Sequence, residues 1–341
     1  MIYSTKKYTV LVVCIVTVLL VSWLVSGGWF GKKFKLVEST DYLMSTSITV
    51  KVYVRNARAG EALLQNAFAE AKRIEHIMEP LVGDGELHRI NETSSVRTWK
   101  LSDDLRTVLE RALYYSRLSQ GAFDPTIAAV KWTWAFEEGG RLPSEEEIAE
   151  ALETVGFSQV VLKSDSLEMK KNGTKLDLGG VAKGYAVDRM IAILRQGGAE
   201  AGLVNAGGDI FTFGKKPSGK DWVIGLRHPR TKRNFILKTI ALHAVATSGD
   251  YERYFMCDGV RYHHILDPET GYPARGCASV TVWTSLAMDA DALATAIFVM
   301  GPQKGLELAE KLEGVETLIF FEENNVVKTA RSSGVRDIIP Q

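Results

Sequence analysis

Two groupings in the 341-residue chain carry residue types that can do chemistry. Asp291 and Thr295 lie four positions apart in an apolar, alanine-rich run, 289–300, that reads as a helix. Their side chains therefore share one face, a turn apart. A carboxylate and a hydroxyl are hard oxygen donors that suit magnesium, which takes one or two protein carboxylates and leaves the rest of its shell to water and substrate phosphates. The plain alternative keeps Asp291 as an acid favouring the helix dipole, Asp289 as the N-cap and Thr295 as packing. The second grouping is 176–188, Leu-Asp-Leu-Gly-Gly-Val-Ala-Lys-Gly-Tyr-Ala-Val-Asp. It reads as a short apolar strand at Leu176, a break at Gly179-Gly180, and a helix running towards Leu194. A glycine turn that opens a helix presents backbone N–H groups and a positive dipole end to an anion. Asp177, Lys183 and Asp188 add carboxylates and a cation. The alternative is a junction whose glycines only permit tight packing.

Proton chemistry has two candidates. His264, in His263-His264-Ile265-Leu266-Asp267-Pro268, titrates near neutrality by its ordinary pKa. Adjacent residues at a strand end face opposite ways, so at most one of the two histidines faces a given site, and a loop-bonding structural histidine remains open. Thr247-Ser248-Gly249-Asp250 offers two hydroxyls and the Asp250 carboxylate in a turn. It lacks the G-x-S-x-G elbow, so a serine hydrolase fits poorly. Neither glycine turn, 179–180 or 207–208, is GxGxxG, which speaks against a dinucleotide Rossmann fold.

The elements that must hold these residues are mixed. Alternation predicts strands at Ser45–Val54, Trp222–Leu226, Phe235–Leu242 and Ser279–Thr284, and hairpins at 160–169 and 317–329. Helical spacing predicts Ala59–Met78, a helix capped by Ser102 through Leu118, one opened by Ser144, and helices at 289–300 and 305–312. Without regular βαβ alternation the expected class is α+β, a mixed α/β domain.

Zero formal net charge and no basic patch exclude nucleic acid as an expected partner. From Tyr8 to Gly31 there is no charged residue, and Thr9–Ser26 is nearly all Val, Leu and Ile, long enough to span a bilayer. The expected layout is an N-terminal membrane anchor at 1–31, a tether at 32–42 and one domain at 43–341. A lone N-terminal span commonly acts as an export signal, so the domain is expected outside the cytoplasm. Cys257 and Cys277 form no framework and read as ordinary thiols, with one disulfide as the alternative.

Eight short segments in order also resemble a known family. They are Met44-Ser45-Thr46, Glu86–Asn91, Gly121–Thr126, Leu176–Asp188, Asn205–Asp209, Ala246–Asp250, His264–Gly271 and Asp291–Thr295. Together they resemble the ApbE-like family, the FAD:protein FMN transferases, over about 44–301. The resemblance implies that FAD binds between two lobes with Mg2+ at its pyrophosphate. It also implies transfer of FMN to a Thr or Ser hydroxyl of an exported redox protein, with release of AMP. On that reading Asp291, Thr295 and the Gly180 carbonyl hold the metal. Asp177, Lys183 and Asp188 lie near the flavin nucleotide, and Met44, Ala122, Phe123, Asp124 and Ile265 line the cofactor. The chain departs from the family pattern at Ser45, where glycine is usual, near Leu81, where an aromatic is common, and near Gly85 and His88, where serines are. Two other readings stay open: a magnesium-dependent FAD pyrophosphatase giving FMN and AMP, and a membrane-tethered protein that binds FAD without turnover.

Overall fold

A computed structural model describes residues 34–93, 98–231, 234–238, 243–324 and 326–337. The expected membrane span lies outside these residues, and no helix among them is long and apolar enough to cross a membrane.

The frame is an eight-stranded sheet whose strands lie side by side in the order in which the chain makes them. They are Lys35–Leu43, Thr46–Val54, Ala201–Ala206, Asp209–Phe213, Ala244–Gly249, Cys277–Thr284, Glu316–Glu323 and Val326–Arg331. Every neighbouring pair is antiparallel. The first strand corrects the sequence reading, because most of the supposed tether pairs with Thr46–Val54 along its whole length, from Lys35 opposite Val54 to Leu43 opposite Thr46. It is a mostly exposed edge strand, so its residues carry little apolar alternation. Met44 and Ser45 form the tight turn between the two strands, with φ of 52° and 57°. Glycine takes that backbone without steric cost, whereas Ser45 holds a left-handed conformation that its Cβ disfavours.

Helices Ala57–Met78, Ala182–Gln196 and Ala287–Met300 cover one face of the sheet. The first follows Asn56, whose Oδ1 accepts the Arg58 amide at 2.9 Å, and it buries Leu64, Ala67, Ala71, Ile74 and Met78 as a single stripe. The hairpin Val223–Arg227 with Asn234–Lys238 covers the other face, where Ile224 and Leu226 pack with Ile210, Val245, Trp283 and Leu318. Cys277–Thr284 is consequently buried on both faces: Val280 and Val282 join the helix-side core and Trp283 the hairpin side.

A smaller part gathers helices Glu86–Thr93, Asp103–Leu118, Ala128–Thr133 and Glu145–Leu152 with the three-stranded sheet of Thr98–Lys100, Ser166–Met169 and Val160–Leu162. Ser102 and Ser144 cap their helices as expected, Ser144 in a reciprocal box with Glu147. The α+β expectation holds, but Leu176 is not in a strand. A single bridge joins Lys175 to Ile127. Leu176 itself is clamped by Asn91, whose Nδ2 donates to its carbonyl and whose Oδ1 accepts its amide, each at 2.8 Å. One amide side chain does there what a neighbouring strand would do.

Candidate active site

The site is built where helices Ala182–Gln196 and Ala287–Met300 cross. Gly184 permits the crossing, since a Cβ there would sit 2.3 Å from the Ala287 carbonyl oxygen. Asp188 on the first helix accepts the Ala287 and Met288 amides at 2.8 and 3.0 Å, which are the first two N–H groups of the second. Desolvation pushes its carboxyl up to about 7, while those two amides pull the other way. Asp188 is therefore a helix cap and does not line the cleft, contrary to its expected place near a nucleotide. The second helix starts after Leu286, so Asp289 is not its N-cap either; both Asp289 oxygens take the Arg111 guanidinium.

A cleft of about 640 Å3 opens at the crossing. Of the residues singled out in the sequence, Met44, Ala122, Phe123, Asp124, Asp177 and Gly180 line it, as do Lys183, His264, Ile265, Asp291 and Thr295. Asp291 and Thr295 share a face as their spacing requires. The Gly184 amide donates to Asp291 Oδ2 at 3.2 Å, placing that carboxylate at the positive end of the facing helix. Ser248 Oγ is 3.3 Å from Thr295 Oγ1. Gly180 lies against the same threonine, for a Cβ there would be 3.2 Å from Thr295 Oγ1 and 3.1 Å from the Phe123 ring.

Asp209, whose role the sequence did not reveal, completes the group. It follows Gly207 and Gly208, both at positive φ, which turn Ala201–Ala206 into Asp209–Phe213. Its side chain is 4% exposed, and burial and the Asp291 charge push its carboxyl up to about 7. Lys183 bridges the two acids, with Nζ 2.9 Å from Asp209 Oδ2 and 3.0 and 3.1 Å from the Asp291 oxygens. Burial opposes the charge on Lys183, but the two carboxylates raise its pKa above the ordinary value. The available sign was a second glycine turn followed at once by an acid.

No group of three or more His, Cys, Asp and Glu side chains placed to hold a metal occurs among the described residues. Two buried carboxylates with two hydroxyls beside them still fit magnesium, which needs few protein ligands when phosphates and water complete its shell.

The glycine turn contributes differently from expectation. Its amides are largely spent inside the turn: Gly179 donates to Asp177 Oδ1 at 2.9 Å, and Val181 and Ala182 both donate to the Leu178 carbonyl. What the turn gives is close approach. Asp177 Oδ2 is 2.7 Å from Lys131 Nζ, a cation in the cleft that sequence reading did not single out. Burial pushes the Asp177 carboxyl up, but Lys131 and the Gly179 amide more than offset it and hold it below the usual range. Asp124 organises its loop by accepting Thr126 N, Thr126 Oγ1 and Phe157 N at 2.8, 2.6 and 2.7 Å.

The two histidines divide as strand geometry requires. His263 is buried, with Nε2 donating to the Ala274 carbonyl at 3.0 Å and Nδ1 accepting the Ile265 amide at 3.3 Å. His264 faces the cleft, and its Nδ1 lies 3.2 Å from the Arg253 carbonyl, so Nδ1 carries the hydrogen. Burial, then the Lys131 charge, push it down to about 3. Asp250 does not reach the cleft: Arg230 takes both its oxygens at 2.8 and 2.5 Å, and Arg261 takes Oδ1 at 3.2 Å. Both its oxygens are occupied by guanidinium groups, and it is absent from the cleft lining. Cys257 and Cys277 are both free thiols.

An antiparallel sheet backed by helices, with buried acids, hydroxyls and lysines meeting in one cleft, is the site of an enzyme for a charged ligand. The ApbE family model matches residues 44–319, and the chain belongs to that family. Among relatives, an FAD:protein FMN transferase of Treponema pallidum is 32% identical over 85% of this chain and 86% of its own length. One of Haemophilus influenzae is 32% identical over 89% of each. The crystal structure of the ApbE protein from Thermotoga maritima is similar with a TM-score of 0.81 at 37% identity, covering 90% of this chain and all of that one. The flavin transferase ApbE from Vibrio cholerae gives a TM-score of 0.82 at 28% identity, with 90% of this chain and 100% of that chain covered.

Proposed function

We propose that this chain transfers FMN from FAD to a Thr or Ser hydroxyl of an exported redox protein and releases AMP. The observation that carries the reading is the convergence of Asp291, Thr295, Asp209 and the Gly180 turn in the cleft that Met44, Phe123 and Ile265 line. In the reaction the acceptor oxygen bonds to the FMN phosphorus. The bond from that phosphorus to the bridging oxygen breaks, AMP carries that oxygen away, and the hydroxyl proton passes to solvent water. Magnesium, held by Asp291, Thr295 and the Gly180 carbonyl, would supply charge neutralisation on the phosphate oxygens.

The protein's own groups do the rest. Lys183 and Lys131 place two cations in the cleft, where their charge offsets the negative charge that develops on the transferring phosphoryl group. Phe123 and Ile265 give a flavin ring an apolar wall. An imidazole pushed down to about 3 binds a proton too weakly to take one from an alcohol. His264 is instead a neutral acceptor that orients the incoming hydroxyl. The apolar stretch Thr9–Ser26 would anchor the enzyme in a membrane with the domain on the exported side, where its acceptor resides.

Incubating the full chain with FAD, Mg2+ and Thr- or Ser-containing acceptor peptides tests this by mass spectrometry. A covalent FMN–peptide with one AMP per adduct is expected. Free FMN without adduct across several acceptors would make the enzyme a pyrophosphatase, and unchanged FAD would leave a binding protein.

A further inference from the structure

Lys183 holds an unusual position. Its ammonium lies 2.9 Å from Asp209 Oδ2, 3.0 Å from Asp291 Oδ1 and 3.3 Å from the Gly179 carbonyl, against carboxylates whose side chains are 4% and 5% exposed. Two acids so deeply buried and so close repel one another unless a cation neutralises them. Among the described residues Lys183 is the cation ion-paired with both. The pairing is nevertheless imperfect, because Asp209 Oδ2 has no directed hydrogen bond despite its burial. That oxygen keeps a lone pair for another partner. The lysine side chain is 28% exposed and stands on the first turn of its helix, so its flexible stem can swing into the cleft.

We propose that Lys183 is a resident counter-ion, which keeps Asp209 and Asp291 together until a divalent cation displaces it. This rests on the magnesium site proposed above. The ammonium contacts both Asp291 oxygens, so a metal ligated there meets a unit positive charge already held against the same carboxylate. Lys183 therefore competes with the metal for Asp291, and it prevents the two acids from being driven apart before loading. Displaced, its charge is delivered into the cleft at the moment the metal enters.

The test uses the full chain, Mg2+ or Mn2+ alone, and the variants Lys183→Met and Lys183→Arg. In EDTA, Lys183→Met should melt below wild type, and saturating Mg2+ should close most of that gap. By titration calorimetry Lys183→Met should bind the metal at least about tenfold more tightly than wild type, because a competing unit charge at contact distance has gone. Lys183→Arg should stay close to wild type. In an Asp209→Asn background, which has one acid fewer to balance, Lys183→Met should lose much less stability in EDTA. Equal or weaker metal binding by Lys183→Met, or a stability loss that metal does not repair, overturns the counter-ion role. Wild-type turnover of FAD that needs Mg2+ would, in that event, leave the site reading standing. Wild-type turnover indifferent to Mg2+ would remove the metal site itself.

Discussion

Asp188 and Asp291 each accept a backbone N–H from the first turn of the other's helix. Asp188 takes the Ala287 and Met288 amides, and Asp291 takes the Gly184 amide. Each helix thus begins against an acid carried by its neighbour, and the crossing angle is fixed from both sides. This is why the Asp291 carboxylate has a defined position before any ligand is considered.

Gly184→Ala should break the crossing. The added Cβ would meet the Ala287 carbonyl oxygen at 2.3 Å, and that oxygen is backbone, so the helices must part. Overpacking of this kind costs about 1–3 kcal/mol. Denaturant unfolding should show the loss and turnover should fall with it. An unchanged midpoint would mean that the helices do not meet there.

Asp291→Ala should lower kcat/KM for FAD at ordinary magnesium by at least about 100-fold, on the scale of removing one group that stabilises transition-state charge. Raising the metal concentration should restore part of the rate. Full activity without added metal would sink the assignment of Asp291 as a ligand.

Lys131→Met leaves the Asp177 carboxylate, whose side chain is 9% exposed, without its 2.7 Å partner. Breaking a buried pair from one side costs about 3–5 kcal/mol, whereas removing both charges is far milder. The double variant Lys131→Met/Asp177→Asn should therefore be more stable than Lys131→Met alone. If chemical denaturation ranks them the other way, the pair is not the source of the loss.

His263 should make the fold acid-sensitive. Burial pushes its imidazole down to about 4. Below its unfolded pKa of about 6.5 the unfolded chain takes up a proton that the folded chain refuses. The stability is complete above about pH 6.5 and drains as pH falls towards 4, by up to about 1.4 kcal/mol per pH unit. His264 acts with the same sign, since it too is pushed down. A protonated His263 would also lose the Ile265 amide from Nδ1 and so loosen a residue of the cleft wall. Asp188 and Asp209, both pushed up to about 7, act with the opposite sign over the same range, so the effect is read as a difference: between pH 7 and pH 5 the melting temperature of wild type should fall further, or rise less, than that of His263→Gln. The same pH dependence in the two proteins contradicts this.

The sequence makes local relationships readable and long-range ones hard to see. Asp291 and Thr295 are legible because a four-residue spacing on a helix needs nothing else to put two side chains together. The Ser102 and Ser144 caps are legible for the same reason. Asp188 is not, because an acid at mid-helix looks alike whether it faces a ligand or caps another helix a hundred residues away. Asp250 ends an apolar strand in the same way as an active-site acid would, and only the arrangement of Arg230 and Arg261 shows otherwise. Lys35–Leu43 escaped notice because an exposed edge strand needs backbone pairing but no apolar face. Asp209 and Lys131 carry ordinary residue types at ordinary spacings, and their importance comes from Asp291 and Asp177, both distant in sequence.

The Asn91 clamp on Leu176 has a bearing on the order in which the enzyme assembles. The partner of the Leu176 amide is a side chain 85 positions earlier, on helix Glu86–Thr93. Until that helix docks, the Leu176 amide and carbonyl lack their Asn91 partner, although the residues on either side are held, Lys175 by its bridge to Ile127 and the Asp177 amide by the Pro125 carbonyl. Exchange of the Leu176 amide with solvent deuterium therefore reports the docking of one short helix, and with it the moment at which a folded chain becomes a competent one.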